Sequence, residues 1–95
     1  MALQTIPFDA AEFIETPEDV LRYLEAALEE DDAVFFKKAL GDVARSKGMT
    51  EIATATGLNR TALYRALSEE GDPRLSTLMG ILKALGLRIS LKAAA

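Results

Sequence analysis

MTEIATATGLNRTALYRALS, residues 49–68, reads as two short helices joined by a tight turn. Ile52 and Ala53 take the buried side of the first helix, and the small Ala53 lets the two helices approach closely. Gly57 follows the first helix, where the backbone must turn left-handed and glycine does so without penalty. Asn59 then suits the N-cap of the second helix, its side-chain oxygen accepting an orphan backbone N–H. Leu58 and Leu63 have the spacing of a hydrophobic staple across that cap. Leu63, Ala66 and Leu67 face inward, which leaves Arg60, Thr61, Tyr64, Arg65 and Ser68 outward. The pattern is that of a helix-turn-helix, whose second helix fits the major groove of DNA. Arginine bonds bidentately to guanine and asparagine to adenine, while threonine and tyrosine reach phosphates, bases or the thymine methyl. The competing reading is a plain helical hairpin, and the outward Arg60, Thr61, Tyr64 and Arg65 weigh toward DNA.

The rest of the chain narrows the classes of function. Its 95 residues make one domain with a modest core. No run of 18 apolar residues exists to span a membrane, and the opening MALQTIPFD lacks the basic and apolar regions of a secretory signal, so a cytoplasmic location is expected. The absence of cysteine excludes disulfides and thiolate metal sites. The absence of histidine removes catalytic triads, imidazole acid–base chemistry and typical zinc ligation. No cofactor, metal or enzymatic role is therefore expected. The net charge of −4 hides a split: residues 1–36 carry −9, and residues 37–95, which contain the motif, carry +5. Such asymmetry points to two partners of opposite sign, or to a plainly solvated acidic face.

Upstream, residues 1–15 form a leading arm that Ile6, Phe8, Phe13 and Ile14 would pin to the body, with a possible helical turn over 10–14. Thr16-Pro17-Glu18-Asp19 is a helix start, with Thr16 at the N-cap and Pro17 at the first helical position. Val20, Leu21, Leu24 and Leu28 then repeat at helical spacing to about Glu30. Asp31 or Asp32 caps a second helix over 33–47, with Val34 or Phe35, Phe36, Ala39, Leu40, Val43 and Ala44 inward and Gly48 as its stop. Gly41 inside it marks a close helix crossing, and Lys37, Lys38, Arg45 and Lys47 give it a basic side. Carboxylates such as Glu29 to Asp32 are oxygen ligands in kind, but their spacing fits a solvated turn better than a cation loop.

Downstream, 69–73 is a loop by composition, and Ser76 is expected to cap a fifth helix carrying Leu78, Ile81, Leu82 and Leu85 up to Gly86. Residues 87–92, LRISLK, alternate apolar and polar as a strand does. A lone strand is unstable, so Leu87, Ile89 and Leu91 are expected to pair with the same strand of a second subunit in a homodimer, unless the arm supplies the partner. The domain thus spans 16–92 and is all-α, with an N-terminal arm and one short C-terminal strand.

The combination resembles the HigA-like antidote (antitoxin) proteins of addiction modules, which carry a lambda-repressor-like (XRE-type) helix-turn-helix. The resemblance runs from about Phe8 to Lys92 and is carried by FIETPEDVLRYLEAALEE, FFKKALGDVARSKGMTEIA, GLNRTALYRALS, EEGDPRLST and KALGLRISL. It implies a five-helix lambda-repressor-like fold and a type II toxin–antitoxin role. In that role the chain neutralises a RelE/HigB-like toxin, usually a ribosome-dependent RNA-cutting enzyme encoded next door, and represses its own operon. Its DNA contacts then fall on Asn59, Arg60, Thr61, Tyr64, Arg65 and Ser68, with Thr50 placed for a phosphate at the N-terminus of the preceding helix. Because toxins of that class are basic, the acidic residues Glu25, Glu29, Glu30, Asp31 and Asp32 are the expected toxin contacts. The alternatives are a stand-alone transcription regulator without a toxin and a protein–protein adaptor that has lost DNA binding.

Overall fold

The computed structural model describes residues 14–94, and within them the chain forms five helices. These are α1 (Pro17–Leu28), α2 (Ala33–Lys47), α3 (Met49–Thr56), α4 (Arg60–Ala66) and α5 (Leu75–Ala84). Thr16 caps α1 reciprocally: its hydroxyl accepts the Asp19 N–H at 3.1 Å, and the Asp19 carboxylate accepts the Thr16 N–H at 3.0 Å. Asp32 is the cap of α2, accepting the N–H groups of Val34 and Phe35 at 3.0 and 3.3 Å. Gly48 ends α2 at φ 117° and opens α3 at once.

The helices converge on Leu40 and Val43 of α2, Ile52 of α3, Leu63 of α4 and Ile81 of α5, all without meaningful solvent exposure. Each of these four helices therefore contributes at least one residue that water does not reach, which fixes α3 and α4 against the same core. Leu58 is half-buried against that core, to which Leu63 belongs, so both residues flanking the Asn59 cap pack inward.

Several expectations need correction. Leu21 and Leu28 do not face the core: they are 43% and 56% exposed, and the packed side of α1 is instead Val20, Tyr23, Leu24 and Ala27. Val34 and Phe35 also lie outside, at 56% and 46%, and Phe36 is the aromatic that packs. Ser76 is not a cap. The fifth helix starts two residues earlier, with Arg74 at the N-cap and no side-chain hydrogen bond there. The preceding loop is held from outside, because the Lys37 ammonium donates to the carbonyls of Glu69 (2.9 Å) and Gly71 (2.5 Å). That tether holds the loop ahead of α5 against α2.

The strand over 87–92 is absent: the described residues contain no strand. Leu87 is spent on ending α5. Gly86 is left-handed at φ 82° and donates to the Lys83 carbonyl at 2.9 Å, while the Leu87 N–H donates to the Leu82 carbonyl at 2.8 Å. These two bonds make a Schellman closure, and the Leu87 side chain packs against the core as that closure favours. With Leu87 so used and no strand beside it in the chain, 89–94 has nothing to pair with. Of the arm, Ile14 packs on the core and its carbonyl accepts the Ser46 hydroxyl at 2.9 Å; Ile6, Phe8, Phe13 and the possible turn over 10–14 lie otherwise outside the described residues.

Candidate nucleic-acid interface

Short helix α4 presents a carboxylate-free outer face. Its sequence is RTALYRA, and Arg60, Thr61, Tyr64 and Arg65 are exposed while Leu63 is fully buried. Three devices aim that face. The left-handed Gly57 (φ 78°) ends α3 and turns the chain. The Asn59 Oδ1 accepts the Ala62 N–H at 2.7 Å, which starts α4 but leaves the Asn59 amide group facing out as a donor. The Thr56 hydroxyl donates to the Ile52 carbonyl at 2.9 Å and accepts weakly from the Leu58 N–H at 3.4 Å, bracing the turn from within.

Arg60 is the first residue of α4, where a cation opposes the helix dipole. Its guanidinium sits 5.6 Å from the Tyr64 ring centroid and donates to the Tyr64 hydroxyl at 3.4 Å. An exposed cation–π contact of this kind is worth about 0.5–1 kcal/mol, enough to hold the two side chains as a unit yet weak enough to be exchanged for a ligand. Arg65 is exposed in the last turn, where its charge suits the dipole. Ser68 lies beyond the end of α4 at Ala66, and its hydroxyl donates to the Arg65 carbonyl at 2.7 Å, so it stands apart from the helical set. Thr50 is exposed in the first turn of α3.

The other expected residues fall elsewhere. Glu25 faces outward on α1, and Glu29 to Asp32 occupy the α1–α2 connection, all exposed. Asp31 has a positive φ of 54° there, and Asp32 is committed to the α2 cap. Ile89 and Leu91 are exposed at 46% and 89%. Among the described residues no group of three or more acids converges as a metal site, and no helix is long and apolar enough to cross a membrane.

Three residues that hold the helices together escaped the sequence reading. Lys37 looked like part of a basic surface but is half-buried on the 69–71 carbonyls. Gly71 was read only as loop composition. It lies so close to α4 that a Cβ there would meet the carbonyl oxygens of Arg65 and Ala66 well inside the 3.0 Å that real Cβ atoms keep. Asp42, 9% exposed, accepts the Tyr23 hydroxyl at 2.8 Å and pairs with Arg45, joining α1 to α2. A lone acid among Leu, Gly and Val in the predicted apolar stretch of α2 was the available signal for that network.

Comparison with known proteins bears on what such a scaffold does. The chain is 39% identical over 92 residues to a Haemophilus influenzae protein described only as uncharacterized, an alignment covering 97% of this chain and 95% of that one. No solved structure matches it. A family model described as a probable addiction module antidote protein matches residues 4–93. With nearly its whole length matched, the chain belongs to that family of addiction module antidotes.

Proposed function

We propose that this antidote is an antitoxin of a type II module, acting in the cytoplasm, that neutralises a basic RelE/HigB-like toxin. On the same reading it represses its own operon, with α3 and α4 acting as a lambda-repressor-like helix-turn-helix on operator DNA. The observation that carries the DNA arm is the outer face of α4, where Arg60, Thr61, Tyr64 and Arg65 stand exposed with no carboxylate on the helix. A cation at the first position of a helix is mildly unfavourable for stability, so Arg60 is best accounted for by a ligand. In the proposed complex Asn59, Arg60, Thr61 and Tyr64 approach base edges, Arg65 reads a base or grips a phosphate, Thr50 meets the backbone at the start of α3, and Ser68 borders the site. Two chains, joined through the tails that bear the exposed Ile89 and Leu91, present two such helices to a pseudo-palindromic site.

The test has two arms. In a matched-salt titration against the DNA upstream of its own gene, Arg65→Ala costs about 1–3 kcal/mol of binding if that side chain reads a base. Unchanged affinity removes it from the reading set. Co-expression with the adjacent reading frame then yields a stable complex and rescues growth. Absence of both toxicity and complex reduces the chain to a stand-alone regulator, and absence of any DNA complex at low salt leaves an adaptor.

A further inference from the structure

We infer that the toxin docks through an apolar groove at the start of α2, and that acids from two distant parts of the sequence frame it. This inference rests on the antitoxin reading above and adds the location and chemistry of the contact. The groove encloses about 270 Å³. Its apolar lining comes from Val34, Phe36 and Leu40 of α2, Pro73 of the loop, and Leu78 of α5.

Two features identify the occupant. The first is misplaced hydrophobicity. Val34 and Phe35 are 56% and 46% exposed at the first turn of α2, and Leu28, 56% exposed, ends α1 just before it. Three large apolar side chains left outside within eight residues are a contact surface in waiting. The second is charge. The run Glu29 to Asp32 leads directly into the groove wall at Ala33 and Val34, while Asp72 lies on the opposite wall with Glu69 and Glu70 just before it in the chain. The two acidic segments are some forty residues apart in sequence. Val34, next to the first segment, and Asp72 of the second line one groove because Lys37 draws the 69–71 backbone onto α2. The cations close by are Lys37, turned onto those carbonyls, and the exposed Lys38 and Arg74, so carboxylates outnumber them. An apolar centre with an acidic rim fits an apolar side chain flanked by lysines or arginines. The apolar contact then sets the lifetime of the complex and the rim sets its rate of formation.

The groove lies at the opposite end of α2 from Gly48, where α3 begins, and its wall at Gly71 abuts the backbone of the last turn of α4. The acids Glu29 to Asp32 thus keep the role given them as a cluster, but as a rim.

The probe is the purified product of the adjacent reading frame, titrated into the full chain by surface plasmon resonance across a salt series. Val34→Glu places a charge in the groove at an exposed position, and the pair Glu30→Lys, Asp72→Lys reverses the rim on both walls. Thermal melting of each variant checks that it folds like the parent. We expect Val34→Glu to weaken binding at least tenfold through faster dissociation. The double reversal should slow association at least fivefold and flatten its salt dependence. If the parent binds and both variants match it within twofold, the groove is not the contact, although the antitoxin reading stands. A parent that does not bind at all overturns the antitoxin reading and this inference with it. Val34→Glu that dissociates a homodimer while leaving toxin affinity intact assigns the groove to a second copy and likewise overturns it.

Discussion

Two glycines of similar appearance have opposite duties. Gly41 lies inside α2, and a Cβ there would meet the Arg45 guanidinium at 3.7 Å and Leu67 at 3.9 Å, ordinary contact distances. The crossing is close but leaves room for a methyl. Gly41→Ala should therefore stabilise the chain by up to about 1 kcal/mol, the helix-propensity difference, seen as a higher melting temperature. Gly71→Ala should do the reverse, because the obstructing atoms are the α4 backbone itself. Overpacking of this kind costs about 1–3 kcal/mol and displaces the end of α4, so DNA affinity should fall along with stability. Equal melting temperatures for the two variants would refute the assignment. Asp19 supplies a pH signature at the same scale. Its carboxylate accepts the backbone N–H groups of Glu15 and Thr16 at 3.0 Å each, and these bonds, the Glu15 bond first, hold its pKa below the ordinary 3.8. A depressed pKa stabilises the fold above the ordinary value and ceases to as pH falls through the depressed one. Asp19→Asn should melt lower than the parent at pH 7, and the gap should close as pH is taken below 3.8.

At the scale of the element, α4 is seven residues long and would not persist in isolation. Its existence depends on the Asn59 cap and on Leu63, which is fully buried. Asn59→Ala should cost about 1 kcal/mol, and Leu63→Ala about 2–5 kcal/mol, both measured by denaturant unfolding. Asn59→Asp separates cap from contact: it keeps the capping oxygen and the stability but loses the outward amide donor, so DNA affinity should fall alone. Parallel losses in both assays would make Asn59 purely structural. These local features were legible because they depend on neighbours in sequence: Gly57, Asn59, Leu58 and Leu63 are read within six residues of one another. What was not legible was long-range. Whether Leu28, Val34 and Phe35 face the core depends on how α1 meets α2, and periodicity places more apolar residues on a stripe than the neighbouring helix can cover. The alternation from Leu87 to Leu91 was a real period-2 pattern, but its first member was taken by the Gly86–Leu87 closure of α5. The Lys37 tether had no sequence signature, since its acceptors are backbone carbonyls that any residue supplies.

For the whole molecule, charge and assembly decide whether an acidic chain of net −4 can hold the proposed DNA. The excess of acid sits in α1 and the α1–α2 connection, while α4 carries arginines without a carboxylate of its own. Glu51, Glu69 and Glu70 nevertheless flank it in the chain and weaken any sequence-independent attraction to phosphates. On the proposed DNA reading one protomer would make few phosphate contacts, about two or three, and the slope of log affinity against log salt should be about −2 to −3 per chain. So few contacts give weak binding unless two chains act together. The exposed tail is the surface on which dimerisation is proposed, because Leu91 and Ile89 are 89% and 46% exposed and Ile89 shares a surface groove with the exposed Met79 of α5. Ile89→Lys with Leu91→Lys changes two residues that lie outside the core cluster, so the fold should melt close to the parent. Sedimentation should then change from dimer to monomer, operator affinity should fall at least a hundredfold, and the salt slope should halve. A parent chain that is monomeric at the concentrations where it binds its operator would overturn the two-chain arrangement. A slope steeper than about −8 would mean that phosphates are gripped by surfaces other than α4 and the start of α3.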